Sequence, residues 1–182
     1  GAAFDAGYAP DAVMGEGDAV AGDGWTLTAI ATPGHSSQHL AFALPQAQDG
    51  AGALFPGDHV MGWSTSVVSP PDGDMGEYVA SLEKLQGRGE RVWYPGHGEA
   101  IEQPQRLLRG MIVHRRQREG QIVRLLAAGP VRVPEMTRRL YAGLAAPLVP
   151  AAERSVLAHL IDLERRGLVS ATGEGAWRET GA

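Results

Sequence analysis

Thr32-Pro33-Gly34-His35, Phe55-Pro56-Gly57-Asp58 and Tyr94-Pro95-Gly96-His97 repeat one pattern three times, and the chain holds no other Pro-Gly pair. In each, an apolar or β-prone segment leads into Pro-Gly, and a potential metal ligand follows. Proline cannot continue a strand ladder, and glycine permits a tight turn with close backbone approach. Each stretch therefore predicts a strand that ends at proline, with a side chain presented from the loop just beyond it. If the three strands run the same way, the three loops meet at one sheet edge. Two imidazoles and one carboxylate converging there, from His35, Asp58 and His97, suit a divalent ion such as Zn²⁺.

The sequence around these turns supports strands. Trp25 to Ala31 (WTLTAIA) alternates as a strand does. His39 to Leu44, Ala51 to Phe55 and Arg91 to Tyr94 are three further short strand candidates. Met75 to Gln86 carries Tyr78, Val79, Leu82 and Leu85 at helical spacing. Residues 1–24, rich in Gly, Asp and Ala, read as loop or weak strand. Strands and helices thus alternate over the first hundred residues, the pattern of an α/β layered fold.

After Pro104 the character changes. Leu107, Leu108, Met111, Ile112, Ile122, Leu125 and Leu126 predict a long helix that stops at Gly129-Pro130. Pro134 and Pro150 each stand where a helix can begin. Val156, Leu157, Leu160, Ile161 and Leu163 form the apolar stripe of the last helix, and Gly167 is its stop. Leu168 to Ala171 and Ala176 to Glu179 then predict a hairpin. Three helices followed by a hairpin are the order of a winged helix.

Composition narrows the chemistry. The 182 residues are 43% apolar and 20% charged, with no cysteine. Disulfide scaffolds, thiol catalysis, Cys-type zinc fingers and iron–sulfur ligation are excluded, so any metal must be held by His, Asp or Glu. No apolar run approaches the ~20 residues that cross a bilayer. A soluble, cytoplasmic chain without a membrane partner is expected. The net charge of −5 conceals a split: residues 1–105 hold three cations against fourteen acids, and residues 106–182 hold thirteen arginines against seven acids. The balances of −11 and +6 predict two units with different neighbours. The arginines from Arg106 to Arg139 form either a solvated helix face or a surface for an anionic partner such as nucleic acid.

Thr32-Pro33-Gly34-His35-Ser36, Gly57-Asp58-His59-Val60-Met61-Gly62 and Pro95-Gly96-His97-Gly98 resemble the later metal motifs of the metallo-β-lactamase-fold hydrolases. His114-Arg115 with Arg118-Glu119-Gly120-Gln121-Ile122 resembles the junction to a C-terminal winged helix in the lactamase-β-2-like branch, some of whose members are endoribonucleases. The resemblance implies the C-terminal half of a four-layered αβ/βα sandwich over residues 1–105. It also implies a linker helix and winged-helix α+β module over residues 106–182. It makes His35 the last imidazole of one metal, Asp58 the carboxylate that bridges two metals, and His97 an imidazole of the second. The activity implied is attack of a metal-activated water on an ester, thioester or phosphodiester.

One family feature is absent. The signature His-x-His-x-Asp-His, which supplies four further ligands, has no counterpart, because His35 is the first histidine. The chain is therefore expected to be part of a longer hydrolase. Alone it should be inactive, bind zinc weakly or not at all, and associate with the missing N-terminal half or with itself. The alternative is a winged-helix module that binds nucleic acid through the Pro150–Arg166 helix, or serves as an interaction scaffold without catalysis.

Other candidates carry plainer readings. His39 is expected to support the metal loop rather than ligate. His59 should point away from Asp58, and Ser36 should hydrogen-bond within its loop. His114 is expected to pack on its helix stripe and His159 to be exposed. Trp63 to Pro71 is too polar and proline-rich for a core strand, and in the family this loop borders the substrate cleft.

Overall fold

A computed structural model describes residue 7, residues 9–45 and residues 52–181. Residues 1–6 and 8 of the expected N-terminal loop, and Ala51 of the expected third strand, lie outside the described residues. Five strands form the first sheet: β1 (Ala19–Gly22), β2 (Trp25–Ala31), β3 (Leu40–Leu44), β4 (Ala53–Gly57) and β5 (Val92–Pro95). They lie in the order β1-β2-β3-β4-β5. Neighbours are antiparallel up to β4, whereas β4 and β5 are parallel. Hence β2, β4 and β5 run the same way, and their C-terminal ends share one edge. The parallel step needs a crossover, which helix α1 (Met75–Lys84) provides. β4 does not stop before its proline. It continues through Pro56 with a register shift between Leu54 and Gly57, the irregularity that a residue without an N–H imposes on a ladder.

The two faces of this sheet differ. Ile30, Ala41, Leu54 and Trp93 are buried and pack with Tyr78 and Leu82 of α1. Leu108, Met111 and Ile112 of α2 (Pro104–Leu126) complete that core. The strand period of two turns Leu27, Phe42, Phe55 and Tyr94 to the other face. There no helix covers them among the described residues; Phe55 and Tyr94 are 38% and 47% exposed, and their rings stack at 5.8 Å.

The second unit contains β6 (Val131–Arg132), α3 (Val133–Leu140), a 3-10 turn (Ala146–Leu148), α4 (Val149–Arg165), β7 (Val169–Ala171) and β8 (Ala176–Glu179). The expected hairpin is β7–β8. β6 adds a third strand by pairing Val131 with Trp177, giving the order β6-β8-β7. α2 ends at Leu126, short of the expected Gly129. Ile122 and Leu126 of α2, Met136 of α3, Val156, Leu160 and Leu163 of α4 and Trp177 of β8 form a second core.

The two units are tied together. α2 contributes to both cores, and α4 lies against α1. Ala158 of α4 belongs to the first core, Arg165 pairs with Asp74 at 2.5 Å, and a Cβ on Gly76 would stand 2.5 Å from the Asp162 carboxylate. This second contact face overturns the expectation that His159 is exposed: it is 2% exposed. Among the described residues no helix is long and apolar enough to cross a membrane.

Candidate metal centre

The three Pro-Gly pairs lie at or just past the C-terminal ends of β2, β4 and β5, the second forming the last two residues of β4, so the fold presents His35, Asp58 and His97 at one sheet edge. The glycines are required by space. A Cβ on Gly34 would lie 2.2 Å from the Tyr78 backbone nitrogen, and its φ of 127° suits glycine alone. A Cβ on Gly57 would reach 2.7 Å from His39 Nε2, and one on Gly96 2.4 Å from Asp58 Oδ1. The three Pro-Gly turns are thus pressed against one another and against α1.

Asp58 and His97 meet directly, with His97 Nε2 3.6 Å from Asp58 Oδ1. His35 stands beside them through His39: the two rings are 6.2 Å apart, and His39 feels the charge of both His35 and Asp58. His35 Nδ1 lies 2.7 Å from the Val67 carbonyl. With that carbonyl accepting Nδ1–H, Nε2 keeps its lone pair, the arrangement that metal-bound histidines use. The donor types and the His35 tautomer therefore fit a divalent ion. Their number is short, since among the described residues no group of three or more His, Asp or Glu is arranged to hold one.

Supporting residues hold the loops. His39 Nδ1 is 2.8 Å from Thr32 Oγ1. Burial, with His35 second, pushes the His39 pKa down. Ser36 acts through its backbone carbonyl, which accepts from Gly34 and His39. Ser81 of α1 donates to the Pro33 carbonyl at 2.8 Å. His59 turns from the edge, as its place after Asp58 suggests, but into the core rather than a pocket. It is fully buried 4.6 Å from the Tyr78 ring, and burial drives its pKa down to about 3.

The Asp58 turn is anchored to α2 by a chain that sequence reading missed. Ser66 donates to the Asp58 carbonyl at 2.5 Å and to that of His59 at 3.0 Å. Tyr78 Oη also donates to the His59 carbonyl. Buried Arg115 donates to the Ser66 carbonyl and lies over the Tyr78 ring. The available signal was Arg115 standing at helical spacing from Met111, Ile112 and Ile122 in the apolar stripe of α2. Gly62 N donates to the His97 carbonyl at 2.9 Å, which joins the Asp58 and His97 loops. Beside this joint Trp63 stacks on His97 with ring planes 13° apart.

A cavity of about 580 Å³ opens next to Trp63, between residues 61–65, Ile101 and the first three turns of α2. His114 is half-buried and lines it, rather than being fully packed.

Comparison with known proteins agrees with this architecture. Residues 2–97 match the Metallo-beta-lactamase superfamily, and residues 133–177 match the Beta-lactamase associated winged helix domain. Beta-lactamase-like protein 2 homolog of Drosophila melanogaster is 33% identical over 148 residues, which is 80% of this chain and 48% of that protein. Atrochrysone carboxyl ACP thioesterase of Aspergillus fumigatus is 38% identical over 108 residues, 59% of this chain and 32% of that protein. A metallo-beta-lactamase family protein from Thermus thermophilus superposes with a TM-score of 0.78 at 25% identity, covering 91% of this chain and 53% of its own. A beta-lactamase domain protein from Burkholderia ambifaria has a TM-score of 0.80 at 22% identity, a likeness of fold. The chain spans 48% and 32% of the lengths of these two curated relatives.

Proposed function

Because this chain belongs to the metallo-beta-lactamase superfamily, we propose that it supplies His35, Asp58 and His97 to the metal site of a hydrolase whose other ligands lie outside residues 1–182. The observation that carries this reading is the edge where β2, β4 and β5 end together and His97 meets Asp58 at 3.6 Å. Zinc suits two imidazoles and a carboxylate. A divalent ion held there would polarise the scissile bond and make water a better nucleophile. His35 is oriented for ligation by Val67, Asp58 by the Ser66 clasp on its carbonyl, and His97 by the Gly62 bond to its own carbonyl. His39, held by Thr32, closes the floor of the site behind Gly57.

An ester or thioester is the favoured substrate. The acidic balance of residues 1–105 repels a polyanion, and one relative carries a thioesterase name. RNA is the second reading, favoured by exposed Arg106 and Arg109 at the start of α2, near the same edge. A gene-regulatory winged helix has less support, because α4 buries residues against both α1 and the wing core. The uncovered face with Phe55 and Tyr94 suits the missing N-terminal half or, in its absence, a second copy of this chain.

The test joins this chain to an upstream segment bearing His-x-His-x-Asp-His and offers the zinc-loaded product a thioester and a single-stranded RNA. Thioester hydrolysis lost on Asp58→Asn is expected, with none from the chain alone. RNA cleavage without thioester hydrolysis would favour the second reading, and turnover unaffected by Asp58→Asn would refute the metal-site assignment.

A further inference from the structure

The cavity beside His97 has a composition and a position that the metal site leaves unexplained. Met61, Trp63, Ile101, Leu107 and Met111 line it beside polar residues that include Arg106 and His114, and no carboxylate does. Its volume of about 580 Å³ lies within the range of small-molecule sites. It adjoins the candidate centre through Trp63, which lines the cavity and stacks on the His97 ring at 6.4 Å between centroids, in the loop whose Gly62 N–H donates to the His97 carbonyl.

Gly110 is the second observation. It lines the cavity in mid-helix, and a Cβ built there meets nothing within 4 Å. Glycine weakens a helix interior relative to alanine, and neither the backbone nor a crowded neighbour requires it here. Its effect is to leave the cavity wall open.

We propose that this cavity is an acyl pocket: it takes the apolar acyl chain of a thioester or ester whose carbonyl lies at the Asp58–His97 edge. This rests on the ester or thioester reading above. A short acyl group would leave the walls wet, while a longer one buries hydrocarbon against Met61, Ile101 and Met111 and is held accordingly. Trp63, 74% exposed, forms the rim between the carbonyl and its chain.

The proposal is tested on this chain without metal, in the presence of a chelator, so that binding alone is read. Octanoyl-N-acetylcysteamine and acetyl-N-acetylcysteamine are titrated while amide chemical shifts are followed by NMR. The octanoyl probe is expected to bind at least tenfold more tightly, with shifts at Trp63, Leu107 and Met111. Gly110→Phe should weaken it at least tenfold while helical circular dichroism stays intact, and Gly110→Leu provides a smaller plug should the phenyl variant fold poorly. Equal binding of both probes, shifts elsewhere, or folded plugged variants that bind as well as the parent would overturn the pocket. Octanoyl binding here, followed by no thioester hydrolysis in the metal-loaded assembled enzyme, would instead count against the hydrolase reading.

Discussion

His159 lies in α4 at the junction of the two units, facing Arg115 and Met75 across a cavity of about 490 Å³. Burial is the largest cause of its low pKa, about 3, and Arg115, Arg118, His114 and Arg166 add to it. The folded state therefore keeps His159 neutral. The unfolded chain takes up that proton below its ordinary pKa of about 6.5. Stability from this residue is complete above that pH and falls as pH drops toward 3. His159→Leu should remove that dependence. In urea unfolding between pH 7 and pH 5, the variant should lose about 2 kcal/mol less than the parent. Equal losses would show that His159 takes up its proton in the fold as readily as in the unfolded chain. Asp162 nearby, its carboxyl raised chiefly by burial, is kept in both proteins. The sequence displayed His159 beside a clear apolar stripe and so suggested an exposed residue. A helix buried on two sides shows only its wider stripe, and the second face depends on α1, which is distant in sequence.

The elements that position the site were the most legible, for local reasons. β2 alternates, α1 and α4 carry helical stripes, and Pro-Gly marks each turn. β6 has two residues and cannot show a period. The cavity could not be read either, since its walls come from residues 61–65, Ile101 and one side of α2. Gly110→Ala should stabilise α2 by about 1 kcal/mol and raise the melting temperature by about 2–4 °C in calorimetry; a lower melting temperature would reveal a crowded site. Asp74 caps α1 by accepting from Glu77 N at 3.0 Å and pairs with Arg165 of α4. Burial opposes its charge, but Arg165 and the Glu77 N–H outweigh this and hold its carboxyl below the ordinary value. Asp74→Ala should cost about 1–2 kcal/mol in denaturant unfolding; an unchanged midpoint would mean that another group takes over the cap.

For the molecule as a whole, the first sheet is covered by helices on one face only among the described residues, and Phe55 and Tyr94 stay exposed on the other. This face is expected to bury itself against another surface. Light scattering should find the isolated chain self-associated, and addition of an N-terminal half-sandwich should convert it to a one-to-one complex. A non-aggregating monomer that unfolds cooperatively and ignores that half would contradict this. On the proposed function, His35, Asp58 and His97 at the sheet edge are three ligands of a set completed from outside the chain. Zinc titration calorimetry on the chain alone and on the chain joined to the His-x-His-x-Asp-His segment tests it most directly. Weak or no binding by the chain alone is expected, and submicromolar binding by the joined protein that His35→Ala, Asp58→Asn and His97→Ala each weaken at least tenfold. Submicromolar zinc binding by the chain alone through these three residues, or a joined protein indifferent to their loss, would contradict it.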